Sequence, residues 1–127
     1  MSPEEFPRAF FQAFTVQSAP GIAALLVEDG QALTLSGQSA EGRDPTESAW
    51  AAEFAGLLAK ARLVTGKTSV KPLGPGAAVV SQRYVVSGAL QESGQELPRF
   101  PALLLATIIA RPEGWAAVSM SFSALSD

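Results

Sequence analysis

Apolar residues recur at helical spacing near the start of the chain. Phe6, Phe10 and Phe14 repeat every four residues, which places them on one face of a helix. Two starts are open for this helix. The segment 2–5 (Ser-Pro-Glu-Glu) has the form of a capping box, whereas Pro7 would break the hydrogen-bond ladder of a helix that began much earlier. Either start predicts that the phenylalanine face enters the core.

A second, shorter helix is predicted from its start signal. Ser18 can cap it, and Pro20 lies in its first turn. The segment 28–30 (Glu-Asp-Gly) is typical of a turn and is predicted to end this helix. Residues 31–37 then alternate apolar and polar side chains, which predicts a short strand.

A third helix has the clearest start in the sequence. Asp44 is the expected cap, Pro45 takes the first helical position, and Glu47 lies three residues after the cap. The helix is predicted to continue to about Lys60, after a loop at residues 38–43. One apolar face at helical spacing is formed by Trp50, Phe54, Leu57, Leu58 and Ala61.

From Arg62 onward the chain reads as strands separated by short turns. The predicted strands are residues 62–73, 77–90, 100–111 and 115–124. Short loops between consecutive strands favour an antiparallel meander. The sequence therefore predicts one α+β domain over residues 1–127, with three helices packed on a strongly curved antiparallel sheet.

The third of these four strands has no polar face. Between Leu103 and Ile109 only Thr107 is polar, although an antiparallel sheet usually keeps one wet face. Because the helices can cover only one face, a second subunit is the expected cover, and we predict a homodimer through the sheet. In the last strand, the residues expected to face the helices are Trp115, Ala117, Ser119 and Ser121, and those expected to face the partner are Val118, Met120 and Phe122.

Composition and charge narrow the class of protein. Apolar residues make up 47% of the chain and charged residues 17%, against roughly 25% charged in an average protein. The net charge of −3 comes from scattered residues without a basic stripe, so nucleic acid is not an expected partner. Two acids precede the first apolar run, unlike a signal peptide, and the longest apolar run is about half of the ~20 residues that span a bilayer. We expect a cytoplasmic protein without a membrane partner.

Two residue types are missing. The chain has no cysteine and no histidine. Thiol nucleophiles, Ser-His-Asp triads and zinc sites built on histidine or cysteine are therefore excluded. We expect no metal and no cofactor.

Polar groups that could anchor a ligand are few. The hydroxyl of Tyr84, the only tyrosine, could donate to a ligand carbonyl, or it could be satisfied by the backbone. Arg83 and Tyr84 point to opposite faces of one strand, so only one of them can enter a given pocket. Arg99 lies at a strand entrance, where a pocket mouth or a dimer edge is expected. The predicted ligand-binding residues are Trp50, Tyr84, Arg99, Ser119 and Ser121.

The order of helices and strands resembles that of the nuclear transport factor 2-like, or SnoaL-like, superfamily. Residues 25–30 look like the turn before its first strand, and residues 36–37 with 42–44 resemble the stretch before its third helix. Residues 98–101, and residues 114–118 with 122–123, are similar to the closing strands of uncharacterised SnoaL-like and SgcJ/EcaC-type members. The resemblance implies a homodimer joined through the sheet and a cone-shaped apolar pocket between the sheet and the helices.

The superfamily includes ketosteroid isomerases, polyketide cyclases and dehydratases, as well as binding and scaffold members. The resemblance implies a carboxylate base on or just after the first strand in the isomerases and cyclases, but residues 33–36 here are Leu-Thr-Leu-Ser. The dehydratases rely on histidine. We therefore expect a protein that binds a small, mostly apolar ligand without classical acid–base catalysis. The alternatives are a cyclase or isomerase acting through Glu28 or Asp29, and a structural dimerisation module.

Overall fold

Three helices and six strands make up the computed structural model, which describes residues 2–126. The helices are α1 (Glu5–Thr15), α2 (Ala19–Ala23) and α3 (Arg43–Ala55). The strands are β1 (Leu26–Leu33), β2 (Ser39–Glu41), β3 (Arg62–Gly74), β4 (Ala77–Ser87), β5 (Phe100–Arg111) and β6 (Gly114–Ala124). Within the described residues, no helix combines the length and apolar character needed to cross a membrane.

The strands form one curved sheet in the order β2-β1-β6-β5-β4-β3, and the predicted α+β class is confirmed. Strands β3 to β6 make the antiparallel meander that their short loops predict. However, β1 runs parallel to β6, and β2, which falls in a predicted loop, pairs antiparallel with β1. The sheet is therefore mixed rather than wholly antiparallel. Alternation along the chain locates strands, but it does not show which distant strands pair.

The first helix begins between its two predicted starts. The backbone amide of Ser2 donates to the carboxylate of Glu5 at 3.1 Å, which is one half of a capping box. Pro7 lies in the first turn, where a backbone amide would have no partner inside the helix. Phe6, Phe10 and Phe14 are each at most 2% exposed, so the predicted apolar face is confirmed. Ser18 caps α2 as predicted, accepting from the amide of Gly21.

The first strand begins earlier than its alternation predicts. The segment 28–30, predicted as the turn after α2, belongs to β1, which pairs irregularly with β6 between Leu26 and Gln31. At Gly30 an added Cβ would lie 3.0 Å from the carbonyl oxygen of Ala117, so glycine permits this close approach of two strands. The turn itself follows β1, where the amide of Gly37 donates to the carbonyl of Thr34.

The predicted cap of the third helix was wrong. Gly42, with φ of 91°, precedes the helix, and Asp44 lies in its first turn as an exposed side chain. There its negative charge stabilises the positive end of the helix dipole. The hydroxyl of Thr46 donates to the carbonyl of Gly42 at 2.7 Å and closes the first turn. The helix ends at Ala55, before the predicted end near Lys60.

A β-bulge interrupts the pairing of the last two strands. Thr107 pairs with Ser119, but its neighbour Ile108 pairs with Ala117. Val118 is therefore one extra residue on β6. Such an insertion bends a strand and reverses the alternation of its side chains beyond that point.

Because of the bulge, the residues of β6 beyond Val118 face the opposite sides of the sheet from those predicted. Ala117, before the bulge, is fully buried as expected. Beyond the bulge, Met120 and Phe122 are the buried residues, at 2% and 0% exposure. Ser119 is exposed and Ser121 is half-buried on the opposite side of the sheet. The prediction that these two serines face the helices, with Met120 and Phe122 facing a partner, was wrong because it carried strict alternation through the bulge.

The side of the sheet away from the helices, here called the outer sheet face, exposes aliphatic side chains. Val64 and Val85 are direct cross-strand partners, and Leu33 and Leu105 both pair with Ser121. With Val118 at the bulge, the exposed aliphatic residues of this face are 37% to 61% exposed. The second apolar side of β5 is therefore uncovered in the single chain.

Candidate functional site

Aromatic side chains fill the centre of the space between the helices and the inner sheet face. They are Phe10, Phe14, Trp50, Phe54, Tyr84 and Phe122, each at most 8% exposed. The ring centroid of Phe10 lies 5.7 Å from that of Trp50 and 5.5 Å from that of Phe122. Tilted and edge-to-face contacts of this kind are favourable beyond the area they bury. The centre is therefore packed at the place where the family resemblance implied a cone-shaped pocket.

An open groove remains at the side of this cluster, between α1 and strands β3 and β4. Its volume is about 310 Å³. Its lining consists of Glu4, Pro7, Arg8, Phe11, Gln12, Thr65, Thr68, Gln82 and Tyr84. We call it the Tyr84 groove. It has the size of a small ligand site and mixes apolar walls with a few polar groups.

Tyr84 supplies a buried polar group with one long hydrogen bond to the protein. Its ring is nearly parallel to that of Phe11, with centroids 6.4 Å apart and planes at 15°. Its hydroxyl donates to the carbonyl oxygen of Pro7 at 3.5 Å, which is long for a hydrogen bond between oxygens. Burial raises the pKa of Tyr84 above its usual range, so the hydroxyl keeps its proton. The groove therefore holds a neutral donor whose hydrogen bond within the protein is long.

Gln82 is the second buried polar side chain of the groove, at 2% exposure. Its Nε2 donates to the carbonyls of Arg83 and Gly66 at 2.9 and 3.1 Å. The hydroxyl of Thr68 donates to its Oε1. Gly66 and Lys67 lie where the pairing of β3 with β4 shifts. Gln82 thus satisfies backbone carbonyls of a bulge and fixes the wall of the groove.

Of the predicted ligand-binding residues, Tyr84 is the one that lines this groove. Trp50 is fully buried inside the aromatic cluster, and its Nε1 has no hydrogen-bond partner within residues 2–126. Arg99 is exposed just before β5, away from the groove lining. Ser119 and Ser121 lie on the outer sheet face, because the bulge at Val118 reverses the alternation of side chains along β6. The predicted set is therefore dispersed over four parts of the molecule.

The two carboxylates considered as unusual bases lie elsewhere. Glu28 and Asp29 are exposed on β1. Glu28 lies beside the start of α3, in a shallow depression with Gly42 and Arg43. In the Tyr84 groove the lining carboxylate is Glu4, an exposed residue just before α1. Within residues 2–126, no group of three or more acidic, histidine or cysteine side chains is placed to hold a metal ion.

Of the residues that line the Tyr84 groove, only Tyr84 was predicted from the sequence, although some of the others could have been. Gln82 is two residues before Tyr84, so strand alternation alone places both on one face. Phe11 is four residues after Pro7, and both line the groove from α1. Thr68 had no such signal, because its approach to Gln82 depends on the bulge in β3.

Comparison with solved structures identifies the fold. An uncharacterised protein with a cystatin-like fold from Caulobacter vibrioides has a TM-score of 0.84 at 17% identity, covering 97% of this chain and 87% of that one. A ketosteroid isomerase-like protein from Erwinia carotovora atroseptica has a TM-score of 0.79 at 16% identity, covering 98% and 94%. An NTF2-like protein with a cystatin-like fold from Novosphingobium aromaticivorans has a TM-score of 0.73 at 20% identity, covering 96% and 79%.

No protein-family model and no curated protein sequence matches the chain. These three structures, at 16% to 20% identity, nevertheless agree on one architecture. The chain has the cystatin-like fold of nuclear transport factor 2-like proteins, as the sequence resemblance predicted. The narrower likeness to SgcJ/EcaC-type members stays a prediction.

Proposed function

We propose that the protein is a homodimeric binding module that holds a small, mostly apolar molecule in the Tyr84 groove, without classical acid–base catalysis. The observation that carries the proposal is the hydroxyl of Tyr84. It is a buried donor at the wall of an open groove, and its partner, the carbonyl of Pro7, is 3.5 Å away. A ligand oxygen at a shorter distance would make the better hydrogen bond.

The lining defines the chemistry of the ligand. Pro7, Phe11 and the ring of Tyr84 offer an apolar wall for a hydrocarbon or aromatic body. Gln82 has its amide hydrogens engaged with backbone carbonyls, so it adds little donor capacity. Tyr84 is then the buried donor that remains for a ligand, and one acceptor oxygen, such as a ketone carbonyl, matches it. At about 310 Å³ the groove is near the lower end of ligand sites and suits a small molecule.

Binding without catalysis is supported by the groups that surround this groove. A general base must lie within hydrogen-bond reach of the proton that it removes. The chain has no histidine and no cysteine. The carboxylate that lines the groove, Glu4, belongs to an exposed residue just before α1 rather than to the buried wall beside Tyr84.

Dimerisation through the outer sheet face is supported by the distribution of exposed aliphatic groups. Within residues 2–126, five of the seven large exposed hydrophobic side chains belong to this face. Leu105 is 43% exposed at the middle of β5, the strand that is apolar on both sides. A second copy of the chain would cover this stripe with the same residues of its own sheet, as a two-fold interface requires.

A second candidate function is a dimerisation module that binds no small molecule. The aromatic cluster favours it, because Phe10, Trp50 and Phe122 occupy the space in which the fold would otherwise hold a ligand. The two functions differ in one respect that can be measured, namely whether the Tyr84 groove binds anything.

The test uses acetophenone, an aromatic ketone, and ethylbenzene, which has the same shape without the oxygen. Both are titrated into the wild type and into Tyr84→Phe, with backbone amide chemical shifts as the readout. We expect acetophenone to shift the amides of Phe11, Thr65 and Thr68. Its affinity should fall about three- to tenfold in Tyr84→Phe, the usual worth of one hydrogen bond. Ethylbenzene should bind both proteins equally.

Equal loss of both probes in Tyr84→Phe would contradict the assigned role of the hydroxyl. No shift of the groove amides by either probe at millimolar concentration would contradict binding in the groove. That second result would favour the dimerisation module.

A further inference from the structure

A second groove lies on another side of the molecule, between the end of α3 and the connection from β4 to β5. Its volume is about 560 Å³. Leu57 after α3 and Leu90 and Leu97 of the connection line it, and each is half-buried. We call it the Glu53 groove. Its walls offer apolar surface to a ligand of moderate size.

The charges that line this groove have one sign. Glu53 and Glu92 are lining residues, and no lysine or arginine is among them. Lys60 and Arg99, each seven residues after one of these glutamates, are not among the lining residues, and Lys60 lines a different groove, beside α1. An apolar groove whose charged groups are both carboxylates attracts cations and repels anions.

Glu53 is buried and held in one orientation. The residue is only 3% exposed, and its Oε1 accepts a hydrogen bond from the backbone amide of Ser36 at 2.7 Å. A carboxylate has about four acceptor sites. One hydrogen bond therefore fixes its orientation and leaves capacity for another donor.

The carboxyl end of α3 adds to the negative electrostatic potential in the groove. Glu53 lies in the last turn of this helix, which ends at Ala55, and that turn contains no basic residue. The carboxyl end of a helix carries a partial negative charge that is usually balanced by lysine or arginine. Here the helix end and the two carboxylates act together without a balancing cation on the groove lining.

We infer that the Glu53 groove binds a small organic cation, a protonated amine with an apolar body. The ammonium group would donate to the carboxylate of Glu53, and the body would lie against Leu57, Leu90 and Leu97. A bare divalent metal ion fits less well, because calcium takes six to eight oxygen ligands and two carboxylates supply at most four. This site is separate from the Tyr84 groove and does not depend on the function proposed for it.

Benzylammonium and its neutral analogue benzyl alcohol test the inference at neutral pH and low salt. With amide chemical shifts as the readout, benzylammonium should shift Leu57, Leu90, Gly94 and Leu97 in a saturable way. Benzyl alcohol should bind at least about tenfold more weakly, because a hydrogen bond to a charged group contributes more than a neutral one.

Three variants locate the interaction. Glu53→Gln keeps an acceptor for the Ser36 amide but removes the charge, and it should weaken benzylammonium about tenfold or more. Glu92→Gln, in an exposed loop, should weaken it to a smaller extent and serves if Glu53→Gln does not fold. Glu47→Gln removes the same charge from an exposed position of α3 that does not line the groove, and it should change nothing.

The inference is overturned if benzyl alcohol binds as tightly as benzylammonium, or if the groove amides do not move at millimolar benzylammonium. It is also overturned if Glu47→Gln weakens binding as much as Glu53→Gln or Glu92→Gln does. That result would mean that the net charge of the protein attracts the amine, rather than the groove.

Discussion

At the scale of single residues, Tyr84 shows how burial sets the chemistry of a side chain. It is 2% exposed, and desolvation disfavours the charged phenolate. The alternation of β4 places it on the inner face and Arg83 on the exposed face, as the sequence predicted. What alternation could not predict is the long hydrogen bond to Pro7, which depends on where α1 crosses the sheet.

The raised pKa of Tyr84 predicts a loss of stability at high pH. Between the ordinary tyrosine pKa of 10.0 and the higher value in the folded protein, the unfolded chain loses the phenolic proton and the folded chain keeps it. The unfolded state then binds fewer protons, so the free energy of unfolding falls as pH rises through this range. Below it the contribution is fully present.

The prediction is simple to measure because Tyr84 is the only tyrosine. The ultraviolet absorbance of phenolate in the folded protein should appear only well above the ordinary pKa. Tyr84→Phe should lose less stability at alkaline pH than the wild type does. A phenolate transition at the ordinary tyrosine pKa, in protein that is still folded, would contradict the buried position.

At the scale of elements, most helices and strands followed from local patterns, and the errors have local causes. The bounds of β5 were predicted correctly because a Pro-Glu-Gly turn follows it directly. The end of β4 was predicted three residues late. Gly88 leaves the strand with φ of 79°, and an added Cβ there would clash with the carbonyl of Lys60. That contact joins residues distant in sequence, so periodicity could not reveal it.

The bulge at Val118 matters most for the site, because it moved the two predicted serines to the other face. A bulge inserts one residue without any required amino-acid type in this position, so the sequence carries no signal for it. The candidate site was therefore predicted only at Tyr84, whose strand has regular alternation through that residue.

Because Phe122 faces the core and Ser121 faces outward, substitutions of these two neighbours should change the free energy of unfolding by very different amounts. Phe122→Ala should cost about 3–5 kcal/mol, because Phe122 is fully buried against Phe10 and Trp50. Ser121→Ala, on the outer sheet face, should stay within about 0.5 kcal/mol. Denaturant unfolding at one protein concentration measures both, since the stability of a dimer depends on concentration.

A cost below about 1 kcal/mol for Phe122→Ala would mean that this side chain is not in the core. The strict alternation assumed from the sequence would then be the better description of β6.

At the scale of the whole molecule, the two faces of one sheet carry different kinds of side chains. The inner face carries the aromatic cluster and the wall of the Tyr84 groove. The outer sheet face carries aliphatic side chains that a single chain leaves in water. Only 17% of the residues are charged, and we therefore propose that a second copy of the chain covers this face.

The molar mass in solution at micromolar concentration tests this division most directly, by light scattering or sedimentation equilibrium. We expect a mass of about twice 13.2 kDa for the wild type. Leu105→Asp should reduce it to that of a single chain, because it would bury an unpaired charge at the interface. Val16→Asp, which places the same group at a 72% exposed position between α1 and α2, should remain a dimer. A wild type that stays at 13.2 kDa, or a dimer that survives Leu105→Asp, would contradict the proposed dimer.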